Sequence, residues 1–421
     1  MKKLLYFKLK ILARLVLARY KPKIIGITGS VGKTSAREAI FCVLREDFKV
    51  RRNVKNFNNE IGVPLTILLA KANPGKNIFR WLFLFLSACG LLIFKSRRYP
   101  RVLVLEMAAD RPGDIDYLSS IAQPDIAVIT AIGPSHIEYF GSIKNIIREK
   151  SSILKKLGTG GWAIINFDDE NLKEVIKNCK CRTKTFGQGE GSDVQVTNIK
   201  ISQHQDQYGT SFKLRSQGSE TPMFLPGVLG WQHAQAAAAA AAVGLAMGMN
   251  IVRIGERLGH YVPARGRTNL IPGIKKTWII DDTYNASPQS AKAALQILHD
   301  MPANGSRIAI FGDMLELGAH SEQGHQEVGR LAAQLGIDYL YVFGERSRDI
   351  ARGAREAGMD EDKIYHFPFV VRSGQFVQER VKPGDVILVK GSRGSKMEQM
   401  VFEIMAKPWE ASEVLVGKVQ R

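Results

Sequence analysis

The sequence predicts an α/β protein: a doubly wound domain bearing a phosphate loop (P-loop), followed by a second, Rossmann-like domain. Three observations carry that prediction. Short apolar runs bounded by Gly, Pro or charge alternate with helix-compatible stretches along most of the chain, the pattern of parallel sheets with crossover helices. A glycine turn carrying Lys-Thr, GITGSVGKTS at positions 26–35, follows the first run and opens the first helical stretch, which is the setting a phosphate loop requires. The length, 421 residues, exceeds what one core ordinarily serves, so two or three domains are expected.

Taken in order, residues 1–23 hold eight Lys or Arg and no acid. Lys8, Lys10 and Arg14 interrupt the apolar core that a signal peptide needs, so this stretch reads as a basic helix kept in the mature protein. The first domain spans 24–262. Its strands are expected at 23–28, 102–105, 126–130 and 163–166, with a helix at 34–45. From 192 to 226 the residues turn polar and alternating, as in an antiparallel subdomain with one wet face. An alanine-rich helix follows at 235–243. The second domain, 263–421, opens after PARGR (263–267), with strands expected at 278–281, 307–311, 339–343 and 386–389.

One apolar insertion, residues 76–98, fits neither domain. Its continuous run from Trp81 to Phe94 is 14 residues long, short of the roughly 20 that span a bilayer. Two readings stay open. Trp81 at one edge and cations at both ends suit a helix lying on an anionic membrane surface, with residues 1–23 as a second anchor. The other reading is a buried core helix or a dimer contact.

Hydrophobic residues at 45% and charged residues at 24% indicate a folded chain. The net charge of +19 points to acidic partners such as nucleotides, phosphorylated substrates or an anionic membrane. Four scattered cysteines, two of them spaced C-x-C at Cys179 and Cys181, argue against a zinc site and for reduced cytosolic thiols.

The loop departs from the common spelling G-x-x-x-x-G-K-[ST], which would place glycine at 27; Ile27 stands there, and the first loop glycine is Gly29. Gly29 and Gly32 let the backbone wrap phosphate oxygens, with Ser30, Val31 and Ser35 completing the turn. Lys33 is placed to reach the outer phosphates, and the Thr34 hydroxyl to ligate Mg²⁺. Glu106 ends an apolar run, where a carboxylate can hold Mg²⁺ opposite the loop threonine. His136 follows a turn. Lys150, by helical pattern alone, is a surface residue.

The loop TGSVGKT (28–34) resembles that of the Mur ligases, which join amino acids to peptidoglycan precursors using ATP. Further blocks occur in the family's order: NNEIGVP (58–64), VLEM (104–107), IGPSHIEYFG (132–141), DDTYNASP (281–288), FGDMLELG (311–318) and VKGSRG (389–394). They resemble the branch that adds D-alanyl-D-alanine to UDP-N-acetylmuramoyl-tripeptide. The resemblance implies that ATP is bound by residues 29–35 with Gln232, His233, Arg267 and Asp282. It implies Mg²⁺ on Thr34, Glu106, His136 and a carbamate formed on Lys150, with Lys33, Lys150 and His136 catalytic. It implies substrate contacts at Asn58, Asn59, Glu60, Tyr284, Asn285, Asp313, Glu316, Lys390, Ser392 and Arg393. The sequence departs from the family at Ser151 and Ser152, where Gly-Glu is usual after the lysine, and at Gln232, His233 and Ala236, where G-x-H-N and a further Asn are usual.

The branch also carries a UDP-gripping domain of roughly 80–100 residues before the loop; here 25 residues precede Gly26. The expected function is an ADP-forming amide ligase that activates a carboxylate as acyl phosphate and joins it to an amine. Domain closure is expected to bring Arg267 over the nucleotide and exclude water. The expected partners are a peptidoglycan precursor and a D-amino-acid dipeptide. Nucleic acid is not expected, and the protein should be a cytoplasmic monomer, peripheral to the membrane's inner face. Two rivals remain: a folylpolyglutamate- or cyanophycin-synthetase-like ligase, and a non-catalytic, membrane-associated nucleotide-binding protein.

Overall fold

The computed structural model describes residues 2–54, 57–133, 137–369 and 373–417, backbone only at 2, 3, 137 and 138. The chain divides into two compact units. The first comprises 1–199, 212–223 and 232–262; the second comprises 200–211, 224–231 and 263–421.

The first unit begins with helix α1 (Lys2–Tyr20), followed by β1 (Lys23–Thr28), α2 (Lys33–Leu44), β2 (Val50–Arg52), α3 (Gly62–Ile67) and α4 (Ile78–Ile93). β3 (Val102–Glu106), α5 (Asp114–Ile121), β4 (Ile126–Ile129), α6 (Ile137–Phe140), α7 (Ile143–Ser151), β5 (Trp162–Asn166), α8 (Lys173–Lys177) and β6 (Arg182–Gly187) complete its α/β part. Strands β1 to β6 pair in parallel in the order β2-β3-β1-β4-β5-β6. β1 sits between β3 and β4, with Ile27 in register with Glu106 and Thr28 with Ile129. The carboxyl ends of these three strands therefore lie side by side, where ligands bind in open α/β sheets.

β7 (Val194–His204), β8 (Gln207–Ser216) and β9 (Ser219–Pro226) extend the same sheet. They are joined by two-residue turns at Gln205-Asp206 and Gln217-Gly218, all with positive φ, the twist that tight hairpins favour. The division between the units falls within these strands. The alanine-rich helix α9 (Trp231–Ala246) follows, with Ala234 and residues 236–242 buried.

β2 and β6 lie outside the expected strands. β2 is a three-residue edge strand with two arginines, too short and too polar for a hydrophobic signal. Arg51 donates to the carbonyls of Thr66 and Ala70, and Arg52 pairs with Glu38.

The second unit holds a six-stranded sheet of β10 (Asn269–Pro272), β11 (Trp278–Asp282), β12 (Arg307–Gly312), β13 (Tyr339–Phe343), β14 (Ile364–Phe367) and β15 (Val386–Lys390). Its order is β10-β11-β15-β12-β13-β14, with β10 antiparallel and the rest parallel. Alternating residues feed two cores. Ile280, Phe311 and Leu388 face one; Ile279, Ile310 and Val389 face the other. A strand covered on both faces reads as a continuous apolar run, which is why these strands show in the sequence.

Two expectations change. Cys179 and Cys181 form a disulfide rather than remaining reduced thiols, because the turn between α8 and β6 brings their Cα atoms to 5.5 Å. The helix at 78–93 is not a buried core helix: only Leu84 and Ala88 are fully buried, with Trp81, Phe85, Leu91 and Leu92 partly covered.

Candidate functional site

The loop after β1 is held against the segment after β4. Ser30 N donates to Ala131 O at 2.6 Å, Thr130 Oγ1 to Val31 O at 2.6 Å, and Ser30 Oγ to Gly133 O at 3.0 Å. Gly29 has φ 141°, and a Cβ there would lie 2.1 Å from Thr130 Oγ1. Gly32, at φ 88°, caps α2, so the first amides of that helix open toward the loop, an arrangement suited to anions. Lys33 Nζ donates to Gly29 O at 2.6 Å and Ser30 O at 3.1 Å. The ammonium thus lies over the turn whose backbone would cradle phosphate.

Glu106 is the hub beside this loop. Its side chain is nearly inaccessible, and Oε2 accepts from Thr34 Oγ1 at 3.0 Å and from Arg37 Nη1 at 3.1 Å. Asn58 Nδ2 donates to Oε1 at 3.0 Å. Asn53 fixes the backbone behind it, accepting from Glu106 N and donating to Glu106 O. The Thr34 hydroxyl and the Glu106 carboxylate are hard oxygen donors. Their 3.0 Å separation matches the roughly 2.9 Å between adjacent ligands of an octahedral Mg²⁺, so this pair fits the ion. Among the described residues no three of His, Cys, Asp or Glu gather to hold a metal. His136 lies outside the described residues; the turn that leads to it is tied to the loop through Gly133.

Arg37 and Asn53 were not among the sequence expectations. Arg37 is 4% exposed and also grips Glu38 through Nε and Nη2. Its signal was present, since it stands three residues after Thr34 and so on the same helix face.

Lys150 corrects the surface reading. It is 2% exposed, on α7, with Nζ donating to Ala109 O at 3.0 Å. Burial, and then the charge of Lys33, hold its amine down to about 7. α7 is fastened by its neighbour Glu149, whose two carboxylate oxygens accept from Gly113 N and Ile115 N at 2.8 Å, at the start of α5. An amine with so low a pKa is about half neutral at neutral pH, and the neutral form can react with CO₂, which an ammonium cannot.

Other expected positions separate. Asn58 joins Glu106, but the Asn59 oxygen is taken up by the Ile61 and Gly62 amides, a turn role at the head of α3. Glu60 is half-buried near Tyr117. Gln232 and His233 occupy the first turn of α9. His233 is buried, with Nδ1 3.1 Å from the Tyr261 hydroxyl.

In the second unit a separate cluster gathers at strand ends. Asp282 and Lys390 are in register on β11 and β15. They form a buried ion pair, with Lys390 Nζ also donating to Asn285 O at 2.9 Å. Burial pulls the Lys390 amine down, opposed by Asp282. Arg267 stacks over Tyr284 at 4.2 Å. Ser392 Oγ accepts from Leu315 N at 2.8 Å, and Asp313 Oδ1 accepts from Ser347 N at 2.8 Å. The first ties the loop after β12 to the loop after β15, and the second ties it to the loop after β13. Exposed Glu316 has φ 63°, and Arg393 pairs with Glu398. Asp281, unforeseen, is fully buried. Its carboxyl is pushed up to about 7 by desolvation, against hydrogen bonds from Thr283.

Comparison with known proteins converges on one family. Residues 89–244 match the model described as Mur ligase middle domain, and residues 266–393 match Mur ligase, glutamate ligase domain. The chain is 34% identical over 397 residues to the UDP-N-acetylmuramoyl-tripeptide–D-alanyl-D-alanine ligase of Bacillus subtilis, covering 94% of this chain and 79% of that one. The Escherichia coli enzyme of the same name is 30% identical, with coverage of 93% and 78%. The solved MurF ligase of Thermotoga maritima in complex with ADP is similar at a TM-score of 0.78 and 28% identity, covering 97% of this chain and 84% of that one.

Proposed function

The chain belongs to the Mur ligase family, and on that premise we propose that it joins D-alanyl-D-alanine to a UDP-muramoyl-tripeptide with cleavage of ATP to ADP and phosphate. The observation that carries this reading is the contact of Thr34 with Glu106 beside Lys33. It sets two oxygen donors and a cation together at the head of a helix, the parts that phosphoryl transfer needs. The relatives supply the substrates; the cluster supplies the chemistry.

A carboxylate is a poor acyl donor because its oxygen leaves badly. Attack of the tripeptide carboxylate on the γ-phosphate of ATP gives an acyl phosphate and ADP. The dipeptide amine then attacks the acyl carbon and expels phosphate, forming the amide. Lys33 holds and orients the outer phosphates, and the loop amides cradle them. Thr34 and Glu106 would hold Mg²⁺, which when bound neutralises charge on the phosphates. Arg37 keeps the Glu106 carboxylate aimed at the loop, a positioning role. Lys150 serves as a carbamate: its neutral amine attacks CO₂ and loses a proton, becoming an anion. Its burial and lowered pKa support that role.

In the second unit Asp282, Lys390 and Asn285, with Arg267 and Tyr284, serve the nucleotide and the incoming amine. Residues 24–262 act as the ATP-binding domain and 263–421 as the C-terminal domain. The reaction takes place in the cytoplasm, by a monomer peripheral to the membrane.

The test is ADP release and product mass with UDP-muramoyl-tripeptide and D-alanyl-D-alanine. Sustained ADP release, beyond one per enzyme, should require both, with one dipeptide added per ADP. ADP release indifferent to the dipeptide would sink the reading. Faster release with glutamate and a folate acceptor would move the protein to the folylpolyglutamate type.

A further inference from the structure

α1 and α4 each bury one apolar stripe and expose another. On α1, Leu9, Ala13 and Val16 are buried, while Leu4, Phe7, Ile11 and Leu15 are 41–59% exposed. On α4, Leu84 and Ala88 are buried, while Ile78, Phe79, Leu82, Phe83, Leu86 and Ile93 are 56–78% exposed. With Phe94, these two helices supply eleven of the nineteen large apolar side chains exposed among the described residues. An apolar patch this concentrated marks an interaction site.

The two helices are neighbours. The Tyr20 hydroxyl lies 3.0 Å from Leu91 O and accepts from Ser96 N at 2.9 Å; Arg19 donates to Ile93 O at 3.1 Å. Where their C-terminal ends meet, a pocket of ≈ 560 Å³ is lined by Tyr20, Lys21, Lys49, Ser96, Arg97 and Arg101. Its four cations are all exposed. Residues 1–23 and 71–101 together hold fifteen Lys or Arg and no Asp or Glu. Among the described side chains, none of these cations pairs with a carboxylate.

Charge decides between occupants. A second copy would set fifteen cations against fifteen. An anionic bilayer meets both needs, since its headgroups neutralise the cations and its acyl boundary takes the apolar stripes. Among the described residues no helix is long and apolar enough to cross a membrane, so docking would lay these helices along the bilayer surface.

We propose that α1 and α4 form a docking surface for an anionic phospholipid bilayer, with the Lys21–Lys49–Arg97–Arg101 pocket receiving a lipid phosphate. None of these residues belongs to the loop cluster, so docking and ligase chemistry can fail separately.

The experiment is flotation of the full chain with vesicles of phosphatidylcholine, with and without phosphatidylglycerol. The protein should float with the anionic vesicles alone, and less so at high salt. Arg97→Gln combined with Arg98→Gln should lower the partition coefficient roughly 30-fold, at about fivefold per cation. Phe83→Ser should lower it roughly tenfold. Thermal unfolding of each variant checks that the exposed substitutions leave the fold intact. No flotation, or equal flotation on neutral vesicles, overturns the proposal. So does a lipid-free dimer that Phe83→Ser dissociates, which would assign the surface to a second copy.

Discussion

Replacing Lys150 with methionine isolates an amine whose ionisation the fold opposes. In the folded chain Lys150 titrates at about 7, against 10.5 for the ordinary side chain, chiefly because it is buried and then because Lys33 is near. Between those values the unfolded chain binds more protons than the folded one, so stability rises with pH across the window. The linkage penalty works out at about 4 kcal/mol at pH 7 and about 1 kcal/mol at pH 10. Methionine has similar length and no charge. The stability of Lys150→Met relative to the natural protein should therefore fall by about 3 kcal/mol between pH 7 and pH 10. Urea unfolding in CO₂-free buffer at several pH values reads this directly. Parallel pH profiles for the two proteins would refute the lowered pKa and, with it, the ready formation of a carbamate. Lys150→Arg, which stays protonated and cannot take up CO₂, should lose ADP release while Lys150-containing protein responds to added bicarbonate.

Glu106→Gln keeps the shape but removes the anionic donor beside Thr34. The half-saturating Mg²⁺ concentration for ADP release should rise roughly tenfold or more, and an unchanged Mg²⁺ titration would remove Glu106 from the metal site. Gly29→Ala places a methyl 2.1 Å from Thr130 Oγ1 at φ 141°; the strain of about 1–3 kcal/mol should appear as weakened ADP binding by calorimetry, with circular dichroism unchanged. The Asp281 carboxyl titrates at about 7 in place of 3.8, so the folded state binds more protons between these values and stability falls as pH rises through them. Asp281→Asn, neutral throughout, should flatten that fall in urea unfolding, and an unaltered slope would show that Asp281 ionises normally.

The phosphate loop was legible because its chemistry is local. Glycine positions, the Lys33-Thr34 pair and the flanking apolar run are contiguous, and no distant residue is needed to see them. The buried strands of both sheets were legible for a similar reason, since coverage on both faces demands an unbroken apolar run. β2 escaped because an edge strand of three residues with two arginines carries no such run.

The site's electrostatics were not legible. Lys150 lies in the polar sequence IKNIIREKS, and its burial comes from Ala109 and from the clamp of Glu149 on α5, about forty residues away. Arg37 shows as an ordinary helical cation until Glu106, 69 residues on, arrives beside it. His233 is buried against Tyr261, a partner 28 residues on that nothing in the local sequence announces. For α4, hydrophobicity cannot say which stripe is covered. Tertiary packing covers Leu84 and Ala88 and leaves Phe79, Phe83 and Leu86 in the open. The sequence by itself determined the α/β class, the central buried strands and the nucleotide loop, because these depend on neighbours along the chain. Only the tertiary structure decided which ionisable groups are desolvated and which apolar faces stay bare, because both depend on what lies opposite in space.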